Sequence, residues 1–491
     1  MTAADVLVLT PFRRPDFRHA VSTSHPFEEP IDSPAFVVAA SCEAVGLHTK
    51  VLGLQNIYVG FDERTDLDDL HELLSTNLAP VVIFSSDHFI ASRSTATLYG
   101  IDLVAQIVRS LGATAIGVCG RLATTAGVAL LSEAKDVDFV VVGEADLVIA
   151  EIAKNALGGA IDGDLSPHVM TRRDLNDGRK LPEPAFVSDV SKLPIPAFHL
   201  AAPTVDAVLK RRSFGGKSVA FSIRTTFGCK FQCKFCAGVP HWRDYRLKSA
   251  KQVAAEIDHL YASLPDVARL SFLEDEIATR DLAHTRELSE ILGARGIKLD
   301  GLYTHSSLLT TDVAESLAPV LDRVFLGLDS PDDSVLRQMG KGQKLDTVMD
   351  AVETARNANL KTHLEWIIGN PEDTVDSLIT SLNAIFVLIA TGVVESINTY
   401  VYCPHPGTAY REDAETYGLC VHEPFEMLES GGYPAASTRS LTRNQVFTAY
   451  LMSQLVIGEA AQARRASGPA QGTRGPSRES LLRLFNQVGG C

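Results

Sequence analysis

A chain of 491 residues, 45% hydrophobic and 21% charged, has the composition of an ordinary globular protein with room for roughly two to four domains. Its 60 acidic against 45 basic residues give a formal charge of −15, which argues against a broad nucleic-acid surface, because phosphate contacts need clustered Lys and Arg. The opening MTAADVLVLTPFRR has no basic stretch followed by a long apolar core, so neither a secretory signal nor a membrane-spanning helix is expected, and the location expected is cytoplasmic. From Asp5 to Gly158, short apolar runs (DVLVLT, TKVLGL, VVIFSS, AIGVCG, DFVVVG) alternate with helical periods such as TLYGIDLVAQIVRSL and DLVIAEIAKNAL. Continuous apolar strands separated by helices indicate buried parallel strands with crossover connections, hence a doubly wound sheet of five βα units. Ligands of such sheets sit beyond the carboxyl ends of the strands. Here those ends read TPFRRPDFR, SSDHFIASRST, CGRLATT and GEAD after the first, third, fourth and fifth strands.

From Gly159 to Gly216 the text turns to Asp, Gly, Pro and Arg without sustained periodicity and reads as a connector, with the proline-stiffened Leu193 to Phe198 as a strap. A second series follows from Lys217. Strands are expected at SVAFSIR, ARLSFLED, LDGLYTHS, RVFLGLDS, THLEWIIG and ESINTYVY, most of them followed by a helical stretch. Six such units suffice for a partial (βα)6 barrel and fall short of a closed eight. Beyond Asp413 the rhythm stops, leaving a helical cap around Thr442 to Ala463, a Gly/Ser/Arg-rich linker and a short amphipathic end at Leu481 to Val488.

The chemistry concentrates after the first strand of this second series, where Cys229, Cys233 and Cys236 stand in a Cys-x3-Cys-x2-Cys loop. Three thiols in eight residues make a trithiolate site for a soft metal or an iron–sulfur cluster. A structural zinc site would normally add a fourth Cys or a spaced His pair; His241 is the one near candidate. Cys42, Cys119, Cys420 and Cys491 are scattered and read as plain thiols.

With aromatic Phe235 just before its third cysteine, this loop resembles that of the radical S-adenosylmethionine (SAM) superfamily. The resemblance implies a 4Fe–4S cluster on Cys229, Cys233 and Cys236 whose open iron chelates the methionine end of SAM. It also implies an external one-electron reductant of flavodoxin or ferredoxin type, and cleavage of the sulfonium to a 5′-deoxyadenosyl radical. The later strand ends resemble the family's SAM-holding turns. LEDE supplies Asp275. GLDSPDDSVLRQMGKG resembles Gly-x-Glu-Ser…Lys-Gly, with Asp329 for glutamate and Ser330 retained. WIIGNPEDT supplies Gly369 at the adenine turn. The sixth end, YVYCPHPGTAY, resembles the Pro-Tyr-Pro-Gly-Thr turn of the cobalamin-dependent branch and carries Cys403, a candidate substrate-facing thiol or hydrogen-atom donor. His241, Trp242, Arg243, Tyr245 and Arg246 follow the cysteines as candidates to shield the cluster and pair with the SAM carboxylate.

The N-terminal sheet resembles the cobalamin (B12)-binding domain that precedes many radical SAM enzymes. On that likeness Ser85, Ser86, Gly120, Thr124, Gly143 and Glu144 fall at the cobalamin-contacting turns. Cys119 and Leu122 replace a glycine and a histidine of the family pattern, no Asp-x-His-x-x-Gly offers a lower ligand to cobalt, and His88, Arg93 and Arg121 are further candidates in the same loops. The expected organisation is therefore a cobalamin-binding-like Rossmann domain at 1–158, a connector at 159–216, a radical SAM barrel at 217–412 and a helical extension at 413–491. The function it implies is a cobalamin-dependent radical SAM C-methyltransferase acting on a small molecule, with no nucleic-acid or membrane partner. The alternatives are non-methylating radical chemistry over a vestigial cobalamin domain, and a cobalamin-binding sensor or partner protein. With only Cys42 and Cys119 in the N-terminal region, the second cluster of a methylthiotransferase has too few ligands.

Overall fold

The computed structural model describes residues 3–13, 30–87, 97–161, 166–212, 217–238, 244–422 and 433–467. His88, Arg93, His241, Trp242, Arg243, the linker beyond Ser467 and the segment Leu481 to Val488 lie outside the described residues. The chain divides into two compact units, one of Met1–Gly228 with Pro240–Glu274 and one of Cys229–Val239 with Asp275–Cys491.

The first unit is built on the apolar runs noted above. They become β1 (Val6–Thr10), β2 (Thr49–Gly53), β3 (Val81–Ser85), β4 (Ala115–Cys119) and β5 (Phe139–Val141), parallel in the order β2-β1-β3-β4-β5. Helices α1 (Pro34–Ala44), α2 (Glu63–Asn77), α3 (Leu98–Leu111) and α4 (Arg121–Glu133) provide the crossovers, and α5 (Ile149–Leu157) follows β5. Local chemistry sets several of their ends: Asp62 caps α2 by accepting from the Arg64 amide, Pro34 stands in the first turn of α1, and Gly112 ends α3 in the left-handed region at φ +112°.

The segment read as connector contributes to this sheet. Val169–Thr171 forms β6, antiparallel on the free edge of β5, and Ala185 bridges Gly143. A little further on, Thr204 in α6 (Ala202–Arg211) accepts from the Gly53 amide at 2.9 Å. The same unit holds the first two strands of the second series, β7 (Val219–Ile223) and β8 (Ala268–Leu273), paired in parallel and connected through α7 (Ala250–Ser263). Ile31 adds to β7 as a parallel bridge.

The second unit carries the other four strands, β9 (Leu302–Thr304), β10 (Arg323–Asp329), β11 (Lys361–Ile368) and β12 (Ser396–Val401), in one parallel sheet in chain order. They alternate with α8 (Leu282–Ala294), α9 (Thr311–Leu317), α10 (Asp333–Gln338), α11 (Leu345–Asn357) and α12 (Val375–Ala390); α13 (Arg443–Ser467) completes the unit. Because strand side chains alternate between faces, the sheet has one covered and one partly open side. Leu364, Trp366 and Ile368 are fully buried, and the Thr399 hydroxyl meets that of Ser453 in α13 at 2.8 Å, which identifies the covered face. Tyr303, Gly327, Glu365, Asn398 and Tyr400 point the other way and keep partial exposure. The fold is thus α/β, with a Rossmann-like parallel sheet preceding a second series of parallel βα strands. No helix among the described residues is long and apolar enough to cross a membrane.

Candidate active site

Gly228 precedes the thiol loop at φ +86°, and a Cβ there would fall 2.1 Å from the Asp244 carbonyl oxygen, so only glycine lets the chain cross itself at this point. Within the loop the Cys236 amide donates to the Cys233 carbonyl at 3.1 Å, a tight turn that bunches the last two cysteines. Cys233 is buried, and Cys229 and Cys236 are half-buried. The Gly238 amide donates to Cys236 Sγ at 3.4 Å, the kind of contact that stabilises a thiolate. Burial pushes the Cys229 thiol up and the Cys233 thiol up to about 11, while the Lys341 ammonium pulls both down.

Lys341 is the organising charge of this region. Its Nζ lies 2.6 Å from Asp329 Oδ2, with 13% and 6% of the two side chains exposed. Burial alone would lower its pKa; the Asp329 carboxylate, and after it the thiolates of Cys233 and Cys236, outweigh that and hold it above the ordinary lysine value. Gly327 makes room, since a Cβ there would stand 2.7 Å from the ammonium. The ammonium also lies 5.9 Å from the centre of the Phe235 ring.

The backbone around Lys341 clasps the cysteine loop. Lys234 donates its amide to the Met339 carbonyl at 3.0 Å, and Gly340 at φ +71° approaches the Gln232 carbonyl. His305 stacks on Phe231 (3.7 Å between centroids, 11° between planes) and lies 3.1 Å from the Lys341 carbonyl through Nε2. The Ser307 amide donates to its Nδ1 at 3.2 Å, which places the ring proton on Nε2. Burial first, and the nearby Lys341 second, push His305 down to about 4, so the ring is neutral.

The donor set suits a cluster. Three thiols lie on one loop with an amide on one sulfur and a buried cation to balance thiolate charge, and no three His, Cys, Asp or Glu side chains among the described residues converge as they would about a single ion. A cluster takes one thiolate per iron, so its ligands need not converge.

The other expected rim residues are distributed as follows. Asp329 is a non-glycine residue at φ +56°, a strained backbone. It does not cap the following helix, because Asp332 does so, accepting from the Ser334 and Val335 amides. Ser330 is fully buried and accepts from the Asp332 amide. Asp275 is buried at the start of the second unit's main segment. Gly369, at φ +87°, packs against Val446 of α13, and its amide donates to Asp373 Oδ2 at 2.9 Å. Cys403 is buried beside Ala435.

In the first unit, five of the six expected cobalamin-side residues form one linked group, and the sixth, Ser85, pairs in register with Cys119. The Ser86 hydroxyl donates to the Cys119 carbonyl at 2.7 Å. Gly120, at φ +93°, lies so close to Asp87 that a Cβ would stand 2.8 Å from its amide nitrogen. The Thr124 hydroxyl donates to the Gly120 carbonyl at 2.9 Å and accepts from the Gly143 amide at 2.8 Å. Gly143 sits against Ala185, and the Glu144 carboxylate takes the Val187 amide at 2.7 Å and both ends of the Arg246 guanidinium at 2.6 and 2.7 Å. Arg246 is therefore committed to Glu144 and to the Val187 carbonyl, and its guanidinium lies 4.2 Å from the Phe186 ring centre. Arg121 is fully buried at the start of α4, its amide donating to Asp87.

Two residues of the thiol site, His305 and Phe231, were not singled out by the sequence pattern, and Lys341 stood in the Lys-Gly end of the quoted motif without a role. The glycines on either side of Lys341 in MGKGQ are the signal that marks it.

A parallel α/β chain with a trithiol loop after a strand defines a class, and the comparison with family models agrees: residues 223–384 match the Radical SAM superfamily. More particularly, the fold of the chain is similar to that of the radical S-adenosylmethionine methyltransferase TsrM from Kitasatospora setae, solved with cobalamin and a 4Fe–4S cluster bound, at a TM-score of 0.64 and 17% identity over 99% of this chain and 95% of that one. An uncharacterized methyltransferase of Pyrococcus horikoshii is 26% identical over 75% of this chain and 79% of its own length. The anaerobic magnesium-protoporphyrin IX monomethyl ester cyclase of Synechocystis is 25% identical over 48% of this chain, which spans about half (46%) of that relative.

Proposed function

We propose that the chain is a cobalamin-dependent radical SAM methyltransferase that methylates a carbon of a small metabolite. The observation that carries the reading is the loop of Cys229, Cys233 and Cys236 clasped around a buried Lys341–Asp329 pair, in a chain folded like TsrM. When bound, the cluster and cobalamin supply, respectively, the one-electron cleavage of SAM and a transferable methyl group. The chain's own contribution is to bind and orient. The three cysteines hold the cluster, Lys341 balances thiolate charge, Phe235 shields the loop, and Asp275, Asp329, Ser330 and Gly369 are the proposed SAM contacts. Ser85, Ser86, Gly120, Thr124, Gly143 and Glu144 are the proposed cobalamin side. Gly120 and Gly143 are closely packed by the chain itself, so a contribution from them would come through main-chain groups.

The domain assignment that goes with this reading is 1–158 for cobalamin, 159–216 as connector, 217–412 for the radical SAM barrel and 413–491 as an extension. A flavodoxin- or ferredoxin-type reductant and a cytoplasmic setting, where thiols stay reduced, suit an oxygen-sensitive cluster. The similarity to the anaerobic cyclase favours a second reading, radical chemistry that closes a ring rather than transfers a methyl group.

Anaerobic reconstitution tests the proposal through iron and sulfide content, the spectrum of bound corrin and formation of 5′-deoxyadenosine. Cys233→Ala is expected to abolish SAM cleavage with the first unit still folded. Bound zinc in place of iron, or undiminished cleavage by the variant, would defeat it.

A further inference from the structure

The cysteine loop reaches the surface of the second unit beside the turn Gly340-Lys341-Gly342, and the side chains it shows there are cationic. Lys230, Gln232, Gly340 and Gly342 are exposed, so the two loops that close over the thiols form one strip open to solvent. Lys230 lies 5.1 Å from the centre of the Phe231 ring, and a Cβ on Gly342 would stand 3.8 Å from that same ring. On the other side of the turn, the Lys234 stem is 3.7 Å from where a Cβ of Gly340 would be, and its ammonium is 4.8 Å from the centre of the Tyr417 ring. One lysine therefore flanks each glycine. Arg337 and Lys344, before and after the turn in sequence, are exposed as well.

The charge of this strip runs against that of the chain, which carries −15. Residues 229–238 and 334–345 together hold Lys230, Lys234, Arg337, Lys341 and Lys344 and no Asp or Glu. Of these five, Lys341 is taken up by Asp329 at 2.6 Å, and the other four form no ion pair with a described residue. Exposed cations elsewhere do find carboxylates: Lys361 meets Asp322 at 3.0 Å and Arg464 meets Glu395 at 3.2 Å. The strip has edges. Asp333 and Asp346 bound it along the chain, and Glu412, Asp413 and Glu415 follow Tyr410, whose amide donates to the Lys234 carbonyl at 3.3 Å.

Cations spread along an exposed strip, rather than converging in a cavity, suit a partner of protein size whose own surface is acidic. Electron tunnelling falls steeply with distance, so a carrier that reduces a cluster has to come close to the loop that holds it. We infer that the strip of Lys230, Lys234, Arg337 and Lys344 is the docking surface for an acidic one-electron carrier protein, which is oxidised by one electron as the cluster is reduced by one. This rests on the radical SAM reading above for the need of an electron; the place and the sign of the partner come from the strip itself.

The test is binding of an acidic flavodoxin to the anaerobically reconstituted, SAM-loaded protein by isothermal titration, with SAM cleavage driven in parallel by the reduced flavodoxin and by dithionite. Lys230→Glu with Lys344→Glu is expected to weaken binding about tenfold or more at low salt, to slow flavodoxin-driven cleavage in step, and to leave dithionite-driven cleavage unchanged. Lys180→Glu with Lys210→Glu makes the same charge change on exposed lysines of the first unit and should bind as the native protein does. The native complex should also weaken between about 50 and about 300 mM KCl, which tests the surface even where the first double variant fails to fold. Absence of binding, binding indifferent to salt, or equal weakening by the two double variants overturns the inference. If dithionite drives no cleavage in the native protein while flavodoxin binding still depends on Lys230 and Lys344, it is the radical SAM reading that falls.

Discussion

At the scale of single residues, buried charge is placed where it has a partner, and the partners expose what each group does. Lys341 and Asp329 are an example of a pair in which removing one side strands the other. Lys341→Met is expected to cost about 3–5 kcal/mol, and Lys341→Met with Asp329→Asn to recover most of it, a coupling that a double-mutant cycle by denaturant unfolding would read. Additive losses would mean that the pair contributes nothing as a pair. Asp373 shows the opposite case. Its Oδ2 accepts from the Gly369 and Asn370 amides, yet burial dominates and pushes it from 3.8 up to about 7. A carboxyl whose pKa is higher in the fold than in the unfolded chain binds its proton more tightly when folded, so its stabilising contribution is complete below about 4 and is lost as pH rises to about 7. Asp373→Asn keeps an acceptor for both amides and has no proton to lose. Its thermal midpoint, relative to the native protein, should therefore climb between pH 4 and 7.5, and a difference that stays flat across that range would refute the assignment.

At the scale of elements, the strands were legible wherever apolar residues ran without interruption. VLVLT, VVIFS and AIGVC are buried at every position as β1, β3 and β4, and the four-stranded sheet follows the runs from GLYTHS to SINTYV. β6 was not legible, because three residues at an antiparallel edge carry no period and sit in a stretch rich in turn formers. A second strap, Pro184 to Val187, distinct from the one expected at Leu193 to Phe198, was equally hidden, and its Ala185 bridges Gly143. Gly143 shows what that strap does. A Cβ there would lie 2.2 Å from the Ala185 nitrogen and 2.3 Å from its carbonyl oxygen, whereas Gly46, also at positive φ (+85°), has nothing within 4 Å. Gly46→Ala should thus cost only the strain of a left-handed backbone, about 1–2 kcal/mol. Gly143→Ala must also displace the Pro184 to Val187 segment, with its Glu144 and Arg246 contacts, and should cost well over that by thermal unfolding. Equal losses at the two sites would remove the strap from the account.

At the scale of the whole molecule, what was legible of the site is what is contiguous in sequence. The three cysteines proposed as ligands fall within eight residues, so spacing alone pointed to them. Lys341, His305 and Phe231 are assembled from loops tens of residues apart, and only the fold brings them together. The same assembly makes a prediction about cluster removal. The chain passes between the two units on either side of residues 229–239, so the cysteine loop is held by the second unit's own contacts: Lys234 to Met339, Gly340 against Gln232, and His305 between Phe231 and the Lys341 carbonyl. Metal binding energy becomes folding energy only in the parts that the ligands order. Stripping the cluster from reconstituted protein should therefore raise amide hydrogen exchange in 229–238, 303–307 and 339–343. The amides of β1, β3 and β4, which sit in a sheet with its own fully buried core, should exchange as before. Exchange measured by mass spectrometry on the two forms decides the matter, and a loss of protection spread evenly through the six-stranded sheet would show that the loop is not the separable element these contacts make it.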